Sequence, residues 1–296
     1  MGKGKGFLGM SWHWRGMGVR DNGGSWLLGL LLGLLACQAH ALKLEGKFVQ
    51  GGMLIGHVQP GDRVLVDGQP VRVSDQGVFI MGFGRDAPPT SRVQVVRAGK
   101  TLERRQIKIA KRDYRIQRID GLPKGKVTPP KRDWARIKRE IALVKAARSH
   151  DDPRTDFLAG FIWPLVGPIS GVYGSQRILN GKPKRPHFGV DIAAPVGTPV
   201  VAPAAGVVTL ASPDLFFSGG TLIIDHGFQL SSSFLHLSKL LVKVGDRVEQ
   251  GDVIAEVGAT GRVTGPHLDW RMNLRKARID PQLLAPPMPV KAVSSR

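Results

Sequence analysis

Three segments in the C-terminal half carry residue types that could do chemistry. They are His187-Phe188-Gly189-Val190-Asp191, Phe234-Leu235-His236-Leu237-Ser238 and Gly265-Pro266-His267-Leu268-Asp269-Trp270. On an extended chain, positions i, i+2 and i+4 share a face. His187 can therefore converge with Asp191, and His267 with Asp269. Imidazole with carboxylate suits a borderline divalent metal, zinc first among them. A catalytic zinc takes about three protein ligands and keeps a position open for water. It lowers that water's pKa to about 7 and polarises a carbonyl. Histidines off the metal can hold the water, move protons or stabilise an oxyanion. Spacing alone leaves a second reading open, in which each histidine is separately hydrogen-bonded and structural.

The elements that must position these residues read as β structure. From about Phe157, short apolar runs bounded by Gly, Pro or Asp recur: Pro199–Ala202, Gly206–Leu210, Gly220–Asp225 and Leu230–Leu235. Val244–Val248 and Val253–Val257 flank Gln250-Gly251-Asp252 and read as a hairpin. The hairpin resembles the half-repeat of biotinyl and lipoyl domains. It lacks their lysine at the turn, so a swinging-arm carrier is not the expected function. Residues 42–120 alternate with turn signals, among them Asp67-Gly68 and Ala98-Gly99-Lys100, and predict a small β-sandwich. Residues 121–156 read as a proline-containing linker and a basic amphipathic helix. Thr128 is its expected cap, and Trp134, Ile137, Ile141 and Val144 form its apolar face. The C-terminal β domain spans 157–285, with a tail at 286–296. The expected fold class is mainly β.

The 296 residues allow two modest domains with real cores. The formal charge is +20, of which the first 41 residues supply +3. The basic remainder favours anionic polymers. No interleaved aromatic and basic platform accompanies it, and nucleic acid is not the expected partner. Residues 1–41 read as an export signal. A cationic stretch precedes the run Trp26–Ala36, too short to span a bilayer, and Ala39-His40-Ala41 fits a cleavage site. Cys37, the single cysteine, also fits a lipoprotein box, the less favoured reading. The expected location is the periplasm or cell envelope, with membrane attachment only if Cys37 is lipidated.

Longer matches carry a family resemblance. Pro186-His-Phe-Gly-Val-Asp-Ile-Ala-Ala-Pro-Val-Gly-Thr-Pro-Val200, Ile224-Asp-His-Gly227, Phe234-Leu-His-Leu-Ser238 and Gly258-Ala-Thr-Gly-Arg-Val-Thr-Gly-Pro-His267 resemble the lysostaphin-like (LytM-type) zinc metallopeptidases. The likeness spans about Trp163 to Asn273. It implies a duplicated hybrid-motif fold and a single zinc, Zn2+, in a groove. It also implies hydrolysis of peptide bonds in peptidoglycan stems or cross-links by a metal-activated water. By this resemblance His187 and Asp191 are metal ligands, and His236 and His267 hold water and stabilise the transition state. Asp269 stands where the family has a histidine as third ligand. His226 falls in the family's His-Gly turn and is expected to be structural. If Asp269 binds the metal, the chain is a peptidoglycan hydrolase, the favoured reading. If not, the resemblance implies a regulator that activates cell-wall amidases. Arg271 shares a face with Asp269 and could either draw it off the metal or orient it. Tyr173–Arg177 and Asn180 fall in a loop that can border the groove, with Asn180 a minor candidate for an inhibitory ligand. Peptidoglycan is the expected partner, with other envelope proteins as further ones.

Overall fold

Alternating apolar residues between glycine turns form two small sheets at the N-terminal end of the described chain. The computed structural model describes residues 42–289, so the predicted export signal and Cys37 lie outside it. Strands β1 (Lys43–Gly46), β2 (Met53–His57), β3 (Arg63–Val66), β4 (Gln69–Val71), β5 (Val78–Gly82), β6 (Thr90–Arg97) and β7 (Lys100–Lys108) pair as β1-β2-β5 and β4-β3-β6-β7. The β3–β4 turn has φ of 49° at Asp67 and 79° at Gly68. Both central residues are left-handed, as a type I′ hairpin turn requires. Leu54, Phe79, Met81, Val64, Val93 and Ile107 fill the space between the two sheets.

Strand β5 is buried on both faces. Phe79 and Met81 face that first core, whereas Val78 and Ile80 join the core of the C-terminal part. The N-terminal sheets and the C-terminal part are thus continuous in packing. Arg112 pairs with buried Asp280 at 2.7 Å across the same junction.

Strand β8 (Ile116–Ile119) ends the span predicted for the β-sandwich, although it pairs with neither N-terminal sheet, and the linker contributes α1 (Lys124–Val127) and α2 (Trp134–Ala147). Two expectations about α2 need correction. Thr128 does not cap it; a 3-10 turn at Lys131–Asp133 comes first, and the Thr128 hydroxyl instead accepts from Lys182 Nζ. Nor do Trp134 and Ile141 face the protein, being 54% and 61% exposed. Polar anchors set the helix rotation instead. Arg136 donates to the Asp214 carbonyl at 2.8 Å, the Glu140 carboxylate accepts from Phe216 N at 2.7 Å, and Arg148 donates to Ser233 Oγ at 3.0 Å.

The C-terminal part contains β9 (Ile169–Gly171), β10 (Gln176–Leu179), β11 (Lys182–Pro183), β12 (Val190–Ala193), β13 (Pro199–Val201), β14 (Gly206–Leu215), β15 (Gly219–Asp225), β16 (Leu230–Leu240), β17 (Arg247–Val248), β18 (Val253–Val257), β19 (His267–Leu274) and β20 (Ala277–Ile279). One sheet runs β17-β14-β15-β16-β19-β12-β9, with β13, β18 and β20 attached to its sides. Strand β10 pairs separately with β11 and, in parallel, with β8. The fold is mainly β, as expected. The hairpin predicted across Gln250–Asp252 does not form. Strand β17 pairs with β14, while β18 pairs with β13 and β16. The turn residues bond elsewhere: Gly251 N donates to the Ala202 carbonyl, and Ala202 N to that of Asp252.

His226 is locked in the interior. Its Nδ1 lies 2.7 Å from the Ala205 carbonyl and its Nε2 lies 2.6 Å from Ser232 Oγ. Burial lowers its pKa to about 4. The unfolded chain therefore binds a proton here more readily than the folded one between about pH 6.5 and 4. The stability tied to neutral His226 is fully present above pH 6.5 and is lost as pH falls toward 4. Thermal unfolding of the metal-free protein should show a lower Tm at pH 4.5 than at pH 7. A His226→Gln protein should show a smaller drop; an equal drop in both would contradict the assignment.

Candidate metal centre

The pairing of β12 with β19 sets Asp191 directly opposite Asp269. Directly opposed residues on neighbouring strands project to the same side, so two carboxylates meet on one face of the sheet. His187 lies just before β12 rather than on a continuous strand with Asp191. A turn through Phe188 and Gly189 carries it in. His187 N donates to the Ser175 carbonyl, and Gly174 N donates to the His187 carbonyl. One ligand atom from each of His187, Asp191 and Asp269 lies within 4.8 Å of the others, and all three residues are buried.

Each carboxylate is gripped from its outer side. Arg177 Nη2 donates to Asp191 Oδ2. Arg271 meets Asp269 nearly side-on: Nη2 donates to Oδ2 at 2.5 Å, and Nε reaches Oδ1 at 3.0 Å. The Oδ1 atoms face inward, that of Asp191 free of its arginine and that of Asp269 still in contact with Arg271 Nε. Asp191 Oδ1 is 3.0 Å and Asp269 Oδ1 3.4 Å from His187 Nε2. His187 Nε2 and Asp191 Oδ1 are buried, and neither makes a hydrogen bond of acceptable geometry. Two orphaned buried atoms aimed at one point fit a metal ion. Arg271 therefore orients Asp269 without drawing it out of the cluster. Two glycines make room. A Cβ on Gly171 would fall on Asp191 Oδ2, and one on Gly189 would fall on Asp269 Oδ1 and Arg271 Cγ.

The three histidines share one arrangement. Nδ1 of His187 lies 3.3 Å from the Val172 carbonyl, that of His236 2.8 Å from Thr260 O, and that of His267 2.9 Å from Gly265 O. A carbonyl only accepts, so Nδ1 carries the proton and Nε2 keeps its lone pair. The His236 and His267 rings lie 4.9 Å apart, and His267 Nε2 is 3.9 Å from Asp191 Oδ1. His236 holds this position with φ of 67°.

The electrostatics follow from burial and neighbours. Burial lowers His236 to about pKa 4, so it is neutral at pH 7. Burial also opposes charge on His187, but Asp191 and Asp269 outweigh it and raise its pKa. Asp269 is held well below the usual carboxylate range, because Arg271 and then His187 outweigh its desolvation.

The structure thus brings together all five residues singled out in sequence: His187, Asp191, Asp269, His236 and His267. Asn180 is elsewhere, exchanging hydrogen bonds with Leu122 through both amide atoms. Trp270 is fully buried core. Arg177, expected only in a loop bordering the groove, is instead on a strand and grips a ligand carboxylate, a role no spacing signal could have supplied. It reaches Asp191 from β10, a strand placed by its pairing with β8.

The model of peptidase family M23 matches residues 185–281. A crystal structure from Pseudomonas aeruginosa assigned to peptidase M23 is 33% identical, with a TM-score of 0.62. It covers 80% of this chain, which in turn covers 94% of that one. The peptidoglycan DD-endopeptidase ShyA of Vibrio cholerae is 42% identical over 109 residues, 36% of this chain and 25% of its own. The DD-carboxypeptidase/endopeptidase Mpg of Neisseria meningitidis is 39% identical over 129 residues, 43% and 30% of the two chains. The chain thus spans well under half the length of these curated relatives. A match along nearly the whole of the Pseudomonas structure, with a buried His-Asp-Asp cluster in the shared segment, places the chain in peptidase family M23.

Proposed function

We propose that this chain is an exported zinc metalloendopeptidase that cuts peptide bonds in peptidoglycan stems or cross-links. The observation that carries the reading is the convergence of His187 Nε2 and two carboxylate oxygens, with His236 and His267 turned to the same space. Relatives named as peptidoglycan DD-endopeptidases support the substrate class. The cationic and apolar pattern of residues 1–41 supports export.

His187, Asp191 and Asp269 would hold the metal, which when bound supplies Lewis acidity and a water of lowered pKa. His236, neutral and held through Nδ1, can accept a proton at Nε2. His267 presents Nε2 beside it; with its proton on Nδ1 it too accepts at Nε2, and a proton taken up there can be returned to the leaving amine. Arg271 keeps the carboxylate of Asp269 ionised and oriented. The retained cluster favours hydrolysis over a purely regulatory role.

His236→Ala and His267→Ala should each abolish peptide release from purified sacculi while leaving one zinc per chain by elemental analysis. Release that survives both changes would refute their roles. Chelation should remove activity and added zinc restore it. Arg271→Met removes the guanidinium partner of buried Asp269, a loss on the order of 3–5 kcal/mol of stability. It should also weaken zinc binding about 10–100-fold, read by competition with a chelator. Unchanged zinc affinity would show that Arg271 does not support the ligand.

A further inference from the structure

The face that carries the metal cluster continues along β19. His267, Asp269, Arg271 and Asn273 alternate onto it, and Ser233 and Ser231 of β16 stand opposite Arg271 and Asn273. Two more arginines reach this stretch. Arg148, at the C-terminal end of α2, donates Nη2 to Ser233 Oγ at 3.0 Å. Arg278 of β20 stands opposite Asn273 and donates Nη1 to its Oδ1 at 2.8 Å. We propose that Arg148, Arg271 and Arg278 form a carboxylate-binding subsite beside the metal cluster, which receives a free carboxylate of the substrate peptide. The proposal rests on the peptidase reading given above.

Charge is the first argument. Arg271 has Asp269 as its ion-pair partner. Among the described residues neither Arg148 nor Arg278 forms an ion pair. Of the three guanidinium groups only that of Arg271 has a carboxylate against it, and that carboxylate belongs to the metal cluster. Satisfaction is the second. Arg148 Nε is buried and makes no hydrogen bond, an expensive condition for a charged donor. Burial, with Arg278 and Arg271 next, pushes Arg148 well below its ordinary pKa. Burial, Arg271 and Arg185 lower Arg278 to about 10. An anion would relieve both.

Access and geometry narrow the ligand. The Arg271 side chain is 26% exposed, so the cluster is reached from solvent. Planar guanidinium forks match planar carboxylates with paired N–H donors. A peptide seated across the metal cluster would bring a C-terminal or side-chain carboxylate within reach of this face. The cluster thereby favours one orientation of the peptide over its reverse.

The test uses two probes, a peptidoglycan stem tetrapeptide as the free acid and the same peptide with every carboxyl amidated. Calorimetry on the zinc-loaded full chain should show the acid binding at least tenfold more tightly. Arg148→Gln and Arg278→Gln should each bring that preference below threefold while changing amide affinity less than twofold. Arg148→Lys, which keeps the charge but not the fork, should retain an intermediate preference. Wild-type protein that binds both peptides alike overturns the subsite, as does a preference that survives both glutamine changes. Inorganic phosphate that displaces the acid peptide at lower concentration than acetate overturns it in favour of a phosphate site. Sacculus digestion is measured in parallel. Digestion without acid preference removes the subsite alone, whereas acid preference without digestion removes the peptidase reading alone.

Discussion

Two buried carboxylates facing each other across one strand pair are the constraint on which the rest of the site depends. Asp191 and Asp269 are direct cross-strand partners, and their inward oxygens belong to a cluster within 4.8 Å. At an effective dielectric constant of about 20, that separation repels by roughly 3 kcal/mol. Like charges in register destabilise a sheet unless something cationic sits beside them. Three cationic or potentially cationic groups do so here. Arg177 holds the outer oxygen of Asp191, Arg271 spans both oxygens of Asp269, and His187 lies against the inner ones. Glycines 171 and 189 are small because the gripped carboxylates occupy the space a Cβ would need.

The same constraint explains how a carboxylate can stand where the resembling family has an imidazole. A second Asp alone would add a negative charge to the site and weaken a bound metal as a Lewis acid. Arg271 follows two residues later on the same face and binds both oxygens of Asp269. The pair together carries no net charge, as a neutral imidazole would. The substitution is thus better described as one group replaced by two, with the oxygen nearest His187 still directed inward.

Much of this was legible in the sequence because strand periodicity is simple. His267 and Asp269 share a face by a two-residue step, and the convergence of all five site residues followed from motif order. Other features depended on partners that local pattern does not name. Val244 to Ile254 has the alternation and turn of a hairpin, yet each half pairs with a different distant strand. The apolar spacing of α2 suggested a face through Trp134 and Ile141. Ion pairs and hydrogen bonds from Arg136, Glu140 and Arg148 turned the helix away from it. The run Val78-Phe79-Ile80-Met81 lacks alternation because each face of β5 meets a separate core.

Arg177 and Arg148 expose a further reason why the site exceeds its motifs. Both precede residues 185–281, the segment matched by the family model. Arg177 is carried by β10, whose parallel partner β8 follows the N-terminal sheets and leads into the linker. Arg148 ends α2, whose rotation is fixed by contacts with Asp214 and Phe216. The N-terminal layer is bound to the sheet through Val78, Ile80 and the Arg112–Asp280 pair, so the linker between them is held at both ends. The metal-ligand positions belong to the motifs, but the charges that make a paired-carboxylate site tenable come in part from segments that the motifs do not include. Electrostatic balance at the cluster is therefore a property of the continuous packing of the chain, and a change in the linker can reach the ligands without touching them.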